Sequence, residues 1–348
     1  MRVAWRPPRR PRRRRTCSLA VLCAPKAIAA AAAAGDFSRP WATHAGCAEL
    51  LRRFNFNGNY SFLMAHRLAV CVHRRQELPD WHGPERPALL SGEHFPVTVT
   101  PSPRGPVGYW VLPVWDYVVS NFVRIGGTFD PAELSLYKRL VREGDSVCDA
   151  GAHVGAYAIP LAAHVGASGA VHAFEPFRLV FQQLVANAAV NGLSNVYAHQ
   201  LALGDKRERL RGVNSPALTR YGNVGATPVF VQPEEHFTSD NALQYEGRET
   251  VTVVPLDEMQ LDRVGGLNFL KVDVEGALDR VLRGAHGTIH THRPVMAVEH
   301  RGPGDGPALL LEWGYRCVEV LPVHELWICV PSERWWSFAW VTKWAADH

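Results

Sequence analysis

Short apolar stretches alternate with longer amphipathic stretches through the second half of the chain. The apolar stretches that predict strands are Val147–Asp149, Val171–Phe174, Val196–Leu203, Phe269–Val274 and Val295–Val298. The intervening stretches, such as Gly155–His164 and Phe177–Ala188, place apolar residues at helical spacing. This alternation predicts an α/β fold in which helices cross between parallel strands. Tyr315–Leu321 and Glu325–Val330 predict a hairpin that closes the sheet.

The region before this alternation has a different pattern. Val97–Thr100 and Tyr109–Leu112 flank a Pro- and Gly-containing turn, which predicts a hairpin. We therefore expect residues 41–125 to form an N-terminal extension and residues 126–348 to form the main domain. Asp130-Pro131 at the start of the next amphipathic stretch predicts a capped helix. Residues 206–250 are polar and contain many glycines and prolines, so they predict a long loop inserted in the domain.

The first forty residues differ in composition from the rest of the chain. Residues 1–35 contain eight arginines and Lys26 but no acidic residue, and Ala29–Ala34 follow. A basic start followed by an apolar stretch is typical of a targeting segment over residues 1–40. An organelle transit peptide, a secretory signal or anchor, and a disordered tail are the alternatives, and without targeting the protein would be cytoplasmic. Pro25-Lys26 interrupts the apolar stretch and argues against a full membrane span, so any membrane association would come from this segment alone.

Charge and cysteine content exclude some classes of function. Outside residues 1–35 the chain has 28 basic and 33 acidic residues, so no basic surface predicts nucleic-acid binding. The seven cysteines include no C-x-x-C pair, which argues against a zinc site and against a disulfide framework. Cys148 and Cys329 lie in apolar strands, where we expect small core residues.

A glycine turn follows the first predicted strand of the main domain. Gly151 and Gly155 allow the backbone to approach a ligand where a helix begins, and Glu175 at the end of the next strand is suited to bind ribose hydroxyls. His153 occupies the middle glycine position of the dinucleotide fingerprint, which favours S-adenosylmethionine over a dinucleotide. We expect Asp149 to reach the amino group of the methionine tail, directly or through water. The candidate cofactor-binding residues are Asp149, Gly151, His153, Gly155, Phe174, Glu175 and Leu203, with Phe174 and Leu203 beside adenine.

Several motifs occur in an order that resembles the FkbM-type S-adenosylmethionine-dependent methyltransferases. They are Asp149–Gly155, Ala173–Pro176, Asn187 with Asn191, Ala202–Asp205, Pro255–Asp257 and Phe269–Gly276. The resemblance covers about residues 125–300, and Leu270–Gly276 is its most specific part. It implies a Rossmann-like seven-stranded class I methyltransferase sheet, mostly parallel with the last strand antiparallel. It also implies methylation of an oxygen on a small molecule, sugar or glycan. His153 departs from the asparagine that is frequent in this family.

Candidate catalytic residues lie at the predicted ends of the fourth and fifth strands. We expect Asp273 and Glu275 to be site acids, one that positions the substrate or cofactor and one that takes the acceptor proton. Lys271 is a weaker candidate, with an internal ion pair to Asp273 as the alternative. Glu299 and His300 form a second candidate pair. These carboxylates are also of the type that binds Mg²⁺, but we assign no metal site.

Two other functions remain as alternatives to methyl transfer. One is an NAD(P)-dependent oxidoreductase on a similar nucleoside-binding fold, against which the missing middle glycine argues. The other is a methyltransferase-like binding module without turnover. The presence of Asp149, Glu175, Asp273 and Glu275 favours an active enzyme over that module.

Overall fold

A computed structural model describes residues 97–103, 107–116, 118–218, 222–230, 245–259, 261, 266–300, 306–321 and 325–347. The predicted targeting segment over residues 1–40 lies outside the described residues, as does most of the predicted N-terminal extension. None of the described helices is both long enough and apolar enough to cross a membrane.

The described strands are numbered in chain order. They are β1 (Val97–Pro101), β2 (Tyr109–Pro113), β3 (Ser146–Ala150), β4 (Ala170–Phe174), β5 (Val196–His199), β6 (Ala202–Leu203), β7 (Glu208–Pro216), β8 (Tyr245–Val254), β9 (Phe269–Val272), β10 (Val295–Glu299), β11 (Tyr315–Leu321) and β12 (Leu326–Pro331). The helices are α1 (Val119–Gly126), α2 (Pro131–Leu140), α3 (Ala158–Val165), α4 (Arg178–Val190), α5 (Leu278–Gly284), α6 (His286–His292), α7 (Gly306–Glu312), α8 (Trp335–Phe338) and α9 (Trp340–Asp347).

The main sheet has seven strands in the order β11-β12-β10-β9-β3-β4-β5. The five strands from β10 to β5 pair in parallel, β12 pairs antiparallel with β10, and β11 pairs antiparallel with β12. The sequence-based prediction of a Rossmann-like, mostly parallel class I methyltransferase sheet is therefore confirmed. The order reverses between β3 and β9, which is where open α/β sheets bind ligands beyond the carboxyl ends of their strands.

Apolar residues on both sides of the main sheet form two core clusters. One contains Val147 and Phe269 together with the buried faces of α2 and α3. The other contains Cys148 and Leu270 together with α5 and α6. Successive residues of β3 and β9 thus point to opposite layers, as strand geometry requires. Because both faces are covered, only the ends of these strands are available to a ligand.

The β1–β2 hairpin packs against α4 through two asparagines. The Asn187 side chain accepts a hydrogen bond from the Val111 N–H at 2.6 Å and donates to the carbonyl oxygens of Val111 and Val154. Asn191 accepts from the Gly108 N–H at 2.8 Å and the Tyr109 N–H at 3.0 Å. The predicted hairpin is observed, and its fully buried residues Trp110 and Leu112 belong to the core of the main domain.

The predicted start of α2 is also observed. Asp130 precedes the helix and its side chain accepts a hydrogen bond from the Glu133 N–H at 2.9 Å, while Pro131 is the first helical residue. A carboxylate in this position satisfies one of the free N–H groups of the first turn.

Two element predictions need correction. The stretch Val196–Leu203 is not one strand, because β5 joins the main sheet while β6 pairs in parallel with β8 in a separate three-stranded sheet. The expected loop over residues 206–250 contains β7 and the first part of β8, which pair antiparallel. Charged residues such as Arg209 and Arg211 occupy the exposed side of β7, so its sequence appears polar although Val213 is buried.

A disulfide bond joins Cys317 on β11 to Cys329 on β12. This corrects the expectation that Cys329 is only a small core residue, and it adds one disulfide where none was expected. The two cysteines are direct partners in the antiparallel register of the closing hairpin. They are twelve positions apart in the sequence. Their pairing therefore follows from the strand register and not from a local sequence pattern. Cys148 is buried and free, as expected of a core residue.

Candidate active site

A cleft of about 1180 Å³, partly open to solvent, lies at the carboxyl ends of β3, β4, β9 and β10. The predicted site residues that line it are Gly151, His153, Phe174, Glu175, Leu203, Lys271, Asp273, Glu275 and Glu299. The cleft therefore brings together most of the residues that the sequence singled out.

The glycine turn after β3 packs tightly against the end of β9. Gly151 has φ 83°, and a Cβ at this position would lie 1.8 Å from the carbonyl oxygen of Asp273. The N–H groups of Gly151 and Ala152 donate to the carbonyl oxygen of Phe174 at 3.0 and 2.9 Å. The turn thus fits between its two neighbouring strands only because residue 151 has no side chain.

Glu175 ends β4 with its carboxylate held by two backbone groups. The His153 N–H donates to Oε2 at 3.0 Å and the Phe177 N–H donates to Oε1 at 2.9 Å. The side chain is almost fully buried but lines the cleft. Burial raises the pKa of Glu175 to about 8, although the two N–H groups act in the opposite direction. This placement fits an acceptor for ribose hydroxyls, because each carboxylate oxygen can accept more than one hydrogen bond.

The Lys271 ammonium group forms ion pairs with two carboxylates. Its Nζ lies 3.3 Å from Asp149 Oδ1 and 3.3 Å from Asp273 Oδ2, and 5.1 Å from the centre of the Tyr157 ring. Burial lowers the pKa of Lys271, but these two carboxylates raise it above its ordinary value overall, so the ammonium stays charged. The ion pair with Asp273, considered as an alternative from the sequence, is present. Asp149 is fully buried and does not line the cleft.

Gly155 and His300 also do not line the cleft. A Cβ at Gly155 would lie 2.6 Å from the Ile159 side chain and 2.9 Å from the Leu184 side chain, so this glycine allows close packing of α3 and α4. The His300 N–H donates to the carbonyl oxygen of Glu325 at 3.1 Å. His300 thus follows the end of β10 and is not among the predicted residues that line the cleft.

Some cleft residues were not predicted from the sequence. Glu133 on α2 and Tyr157 before α3 line the cleft, and Glu133 accepts a hydrogen bond from the Tyr137 hydroxyl. Asn223–Thr227 and Phe230, from the segment predicted to be a loop, form one wall. The capping pattern around Asp130 indicated a role for Glu133 in the helix start only. No signal in the sequence indicates the loop wall, because its position depends on the β7–β8 pairing.

Possible metal ligands were searched among the described residues. No group of three or more histidines, cysteines, aspartates or glutamates in the described ranges is arranged to hold a metal ion.

Comparisons with known proteins agree with the resemblance in the sequence. The family model of the methyltransferase FkbM domain matches residues 149–317. No curated protein sequence matches the chain significantly.

Several solved structures are similar to this chain at low sequence identity. A methyltransferase FkbM from Methylobacillus flagellatus is 18% identical with a TM-score of 0.37, covering 62% of this chain and 53% of that protein. A putative rRNA methylase from Clostridium thermocellum is 12% identical with a TM-score of 0.35, covering 57% of this chain and 92% of that protein. A SAM-dependent O-methyltransferase from Thermotoga maritima is 16% identical with a TM-score of 0.31, covering 54% of this chain and 52% of that protein. This chain thus spans about half the length of the first and third proteins.

The family match begins at Asp149, the first residue of the predicted glycine-turn motif, and includes Glu175 and the segment Phe269–Gly276. Motif order, sheet order and family match therefore lead to the same conclusion. Residues 149–317 match the model of the FkbM methyltransferase domain, so the resemblance to this S-adenosylmethionine-dependent family is confirmed over that segment.

Proposed function

We propose that this protein transfers a methyl group from S-adenosylmethionine to a hydroxyl oxygen of a small molecule, sugar or glycan. The observation that carries the proposal is the shared cleft. Asp273, Glu275 and Glu299, from two neighbouring strands, line the same cleft as the glycine turn and Glu175. Carboxylates are suited to orient a hydroxyl and to accept its proton. The family match favours methyl transfer over the alternative of an NAD(P)-dependent oxidoreductase.

The cofactor side of the cleft would be formed by the ends of β3, β4 and β6. Glu175 would accept hydrogen bonds from the ribose hydroxyls, and Phe174 and Leu203 would contact adenine. Its two bonds to backbone N–H groups hold the Glu175 carboxylate in one orientation before the ligand arrives. When bound, the cofactor supplies a methyl group activated by a sulfonium.

The acceptor side would be formed by the ends of β9 and β10. Asp273 Oδ2 is engaged in an ion pair with Lys271 Nζ at 3.3 Å, so Asp273 is better suited to position the acceptor than to take its proton. Glu275, at φ 44° in the turn after β9, would take the hydroxyl proton as the bond between oxygen and the methyl carbon forms and the methyl–sulfur bond breaks, with S-adenosylhomocysteine as the leaving group. Holding the hydroxyl in line with the methyl group supplies much of the rate enhancement that such reactions need.

Incubation with S-adenosylmethionine labelled in its methyl group tests the proposal. The protein is mixed with fractionated small molecules and glycans, and we expect label in a hydroxyl-bearing fraction as a methyl ether. Label found only on amines would contradict oxygen as the acceptor atom. Calorimetry with S-adenosylhomocysteine and with NAD distinguishes the oxidoreductase. Binding of S-adenosylhomocysteine without label transfer to any fraction would favour the binding module.

The role of Glu275 leads to a separate prediction. We expect Glu275→Gln to reduce methyl transfer by about 10²-fold or more, because a positioned base typically contributes 10²–10⁴-fold. The affinity for S-adenosylhomocysteine, measured by calorimetry, should stay within about threefold of the original. Glu312→Gln, an exposed change on α7, is the matched control. Normal turnover of the Glu275 variant would show that another group takes the proton.

A further inference from the structure

His153 has an unusual environment for a side chain that is only 12% exposed. Its ring nitrogens are both buried, and neither has a hydrogen-bond partner within the described part of the chain. The residue has φ 52°, in the left-handed region, and lines the cleft. An unsatisfied buried polar group costs about 1–3 kcal/mol, so such a group in a cleft indicates that a ligand supplies the missing partner.

Asp116 lies behind the His153 ring, with its Oδ2 atom 3.9 Å from Nε2. The carboxylate is fully buried and fixed at the start of α1. It accepts hydrogen bonds from the Val118 N–H at 3.3 Å, the Ser120 N–H at 2.8 Å and the Ser120 hydroxyl at 2.6 Å. A fixed acid on the Nε2 side favours the tautomer that carries its proton there, which leaves Nδ1 as an acceptor.

The charge state of the ring agrees with an acceptor role. Burial lowers the pKa of His153, while Asp116 and Asp273 act in the opposite direction and Lys271 acts with burial. The imidazole is therefore neutral near pH 7. A neutral ring with one free lone pair accepts a hydrogen bond from a cation, whereas a protonated ring would repel it.

The position of His153 identifies which part of the cofactor lies nearby. The His153 N–H donates a hydrogen bond to Glu175, the acid proposed to bind the ribose. His153 is therefore in direct contact with the residue that would hold the adenosine. The sequence assigned the amino group of the methionine tail to Asp149. Asp149 is paired with Lys271 and does not line the cleft, so a side chain that does line the cleft is better placed to contact the ammonium group directly.

We propose that His153, held by Asp116, binds the α-ammonium group of the methionine tail of S-adenosylmethionine. His153 Nδ1 accepts a hydrogen bond from the ammonium group, and Nε2–H is directed towards Asp116. The inference depends on the proposed role of Glu175 at the ribose. Asp116 precedes the segment matched by the family model, so this contact would come from a part of the chain outside that segment.

Two adenosine ligands test the proposal by calorimetry on the full chain. S-adenosylhomocysteine has the amino-acid tail, and 5′-methylthioadenosine lacks it but keeps the adenosine and the sulfur. We expect His153→Gly and Asp116→Asn to weaken binding of S-adenosylhomocysteine roughly 10- to 100-fold, the range for a hydrogen bond to a charged group. Binding of 5′-methylthioadenosine should change less than about threefold. Glycine tolerates the positive φ at position 153 and keeps the N–H that Glu175 needs.

A control variant and an unfolding measurement accompany these two substitutions. His164→Gln, on α3 and outside the cleft, should change neither affinity. Unfolding temperatures without ligand show whether Asp116→Asn has weakened α1, and His153→Gly removes no partner of that helix. Equal losses for both ligands would overturn the proposal, since the turn itself would then have moved. Unchanged binding of S-adenosylhomocysteine with reduced methyl transfer would overturn it too and would place the pair on the acceptor side. If the unaltered protein bound neither ligand, the cofactor assignment would fail first.

Discussion

Glu175 is the residue at which burial has the largest consequence for cofactor binding. Its pKa in the folded protein is raised to about 8 because the carboxyl is desolvated, so the acid is largely protonated at neutral pH without ligand. Ribose hydroxyls donate to the ionised form and therefore favour it. For the same reason, ionisation of Glu175 costs folding stability as the pH rises from about 4.5 towards 8.

The expected result is an affinity for S-adenosylhomocysteine that increases between pH 6.5 and pH 8.5 and levels off above the Glu175 pKa. Glu175→Gln should lose this pH dependence and bind about 10- to 100-fold more weakly at pH 8.5. Calorimetry at several pH values measures both effects. His153 does not confuse the result, because its pKa is lowered from 6.5 and lies below the range. A pH dependence that persists in the Gln variant would show that another group titrates.

Gly151 offers a second test at the scale of single residues. Gly151→Ala should lower the free energy of unfolding by at least about 2–3 kcal/mol, because its Cβ would overlap the Asp273 carbonyl oxygen at a positive φ. Gly192→Ala is the matched control, since Gly192 has φ 65° but nothing lies within 4 Å of an added Cβ. Its cost should be about 1 kcal/mol from φ alone. Urea unfolding measures both, and equal costs would contradict the close approach.

The sequence predicts some single residues of the site better than others. Strand alternation places Lys271 and Asp273 on one face, and their ion pair follows from that spacing. The pairing of Asp149 with Lys271 depends on the register between β3 and β9, in which the two residues are direct partners. No local pattern in the sequence specifies this register. The role of Asp149 at the amino group was therefore predicted without knowledge of its ion pair with Lys271.

The secondary-structure elements that were predicted correctly are those with local signals in the sequence. The hairpin β1–β2 and helix α2 were predictable because turn and cap residues signal them locally. The strands β7 and β8 were missed because their outer faces carry charged residues and because they form a separate small sheet with β6. The wall of the cleft formed by Asn223–Thr227 follows from that pairing and was missed with it.

The contact between α4 and β2 leads to a prediction about elements. Asn187→Ala would leave the Val111 N–H and two carbonyl oxygens without partners in the core, and we expect a loss of about 2–4 kcal/mol in the free energy of unfolding. Asn191→Ala, at a more exposed position, should cost about 1 kcal/mol. Urea unfolding gives the stabilities, and hydrogen exchange at the Val111 amide should accelerate in the first variant. Equal effects of the two changes would indicate that burial of the contact does not matter.

At the scale of the whole molecule, the family resemblance predicted a mostly parallel sheet with an antiparallel last strand, but it did not predict the disulfide bond within that sheet. The disulfide between Cys317 and Cys329 closes a loop of twelve positions, for which the chain-entropy model gives roughly 3 kcal/mol. We expect a reducing agent to lower the unfolding free energy by about 2–3 kcal/mol and to have no such effect on a Cys317→Ala/Cys329→Ala variant. Denaturant unfolding with and without reductant measures this. Alkylation of both thiols in the untreated, denatured protein would contradict the bond.

The hairpin β1–β2 has a practical consequence for anyone who shortens this chain for expression. The family match starts at Asp149, in the middle of β3. A fragment cut there would lose three residues of a central strand and the hairpin residues Trp110 and Leu112, which are fully buried in the core. The apolar surface that these residues cover would be exposed to solvent, and we expect the fragment to aggregate. Useful truncations begin no later than Val97.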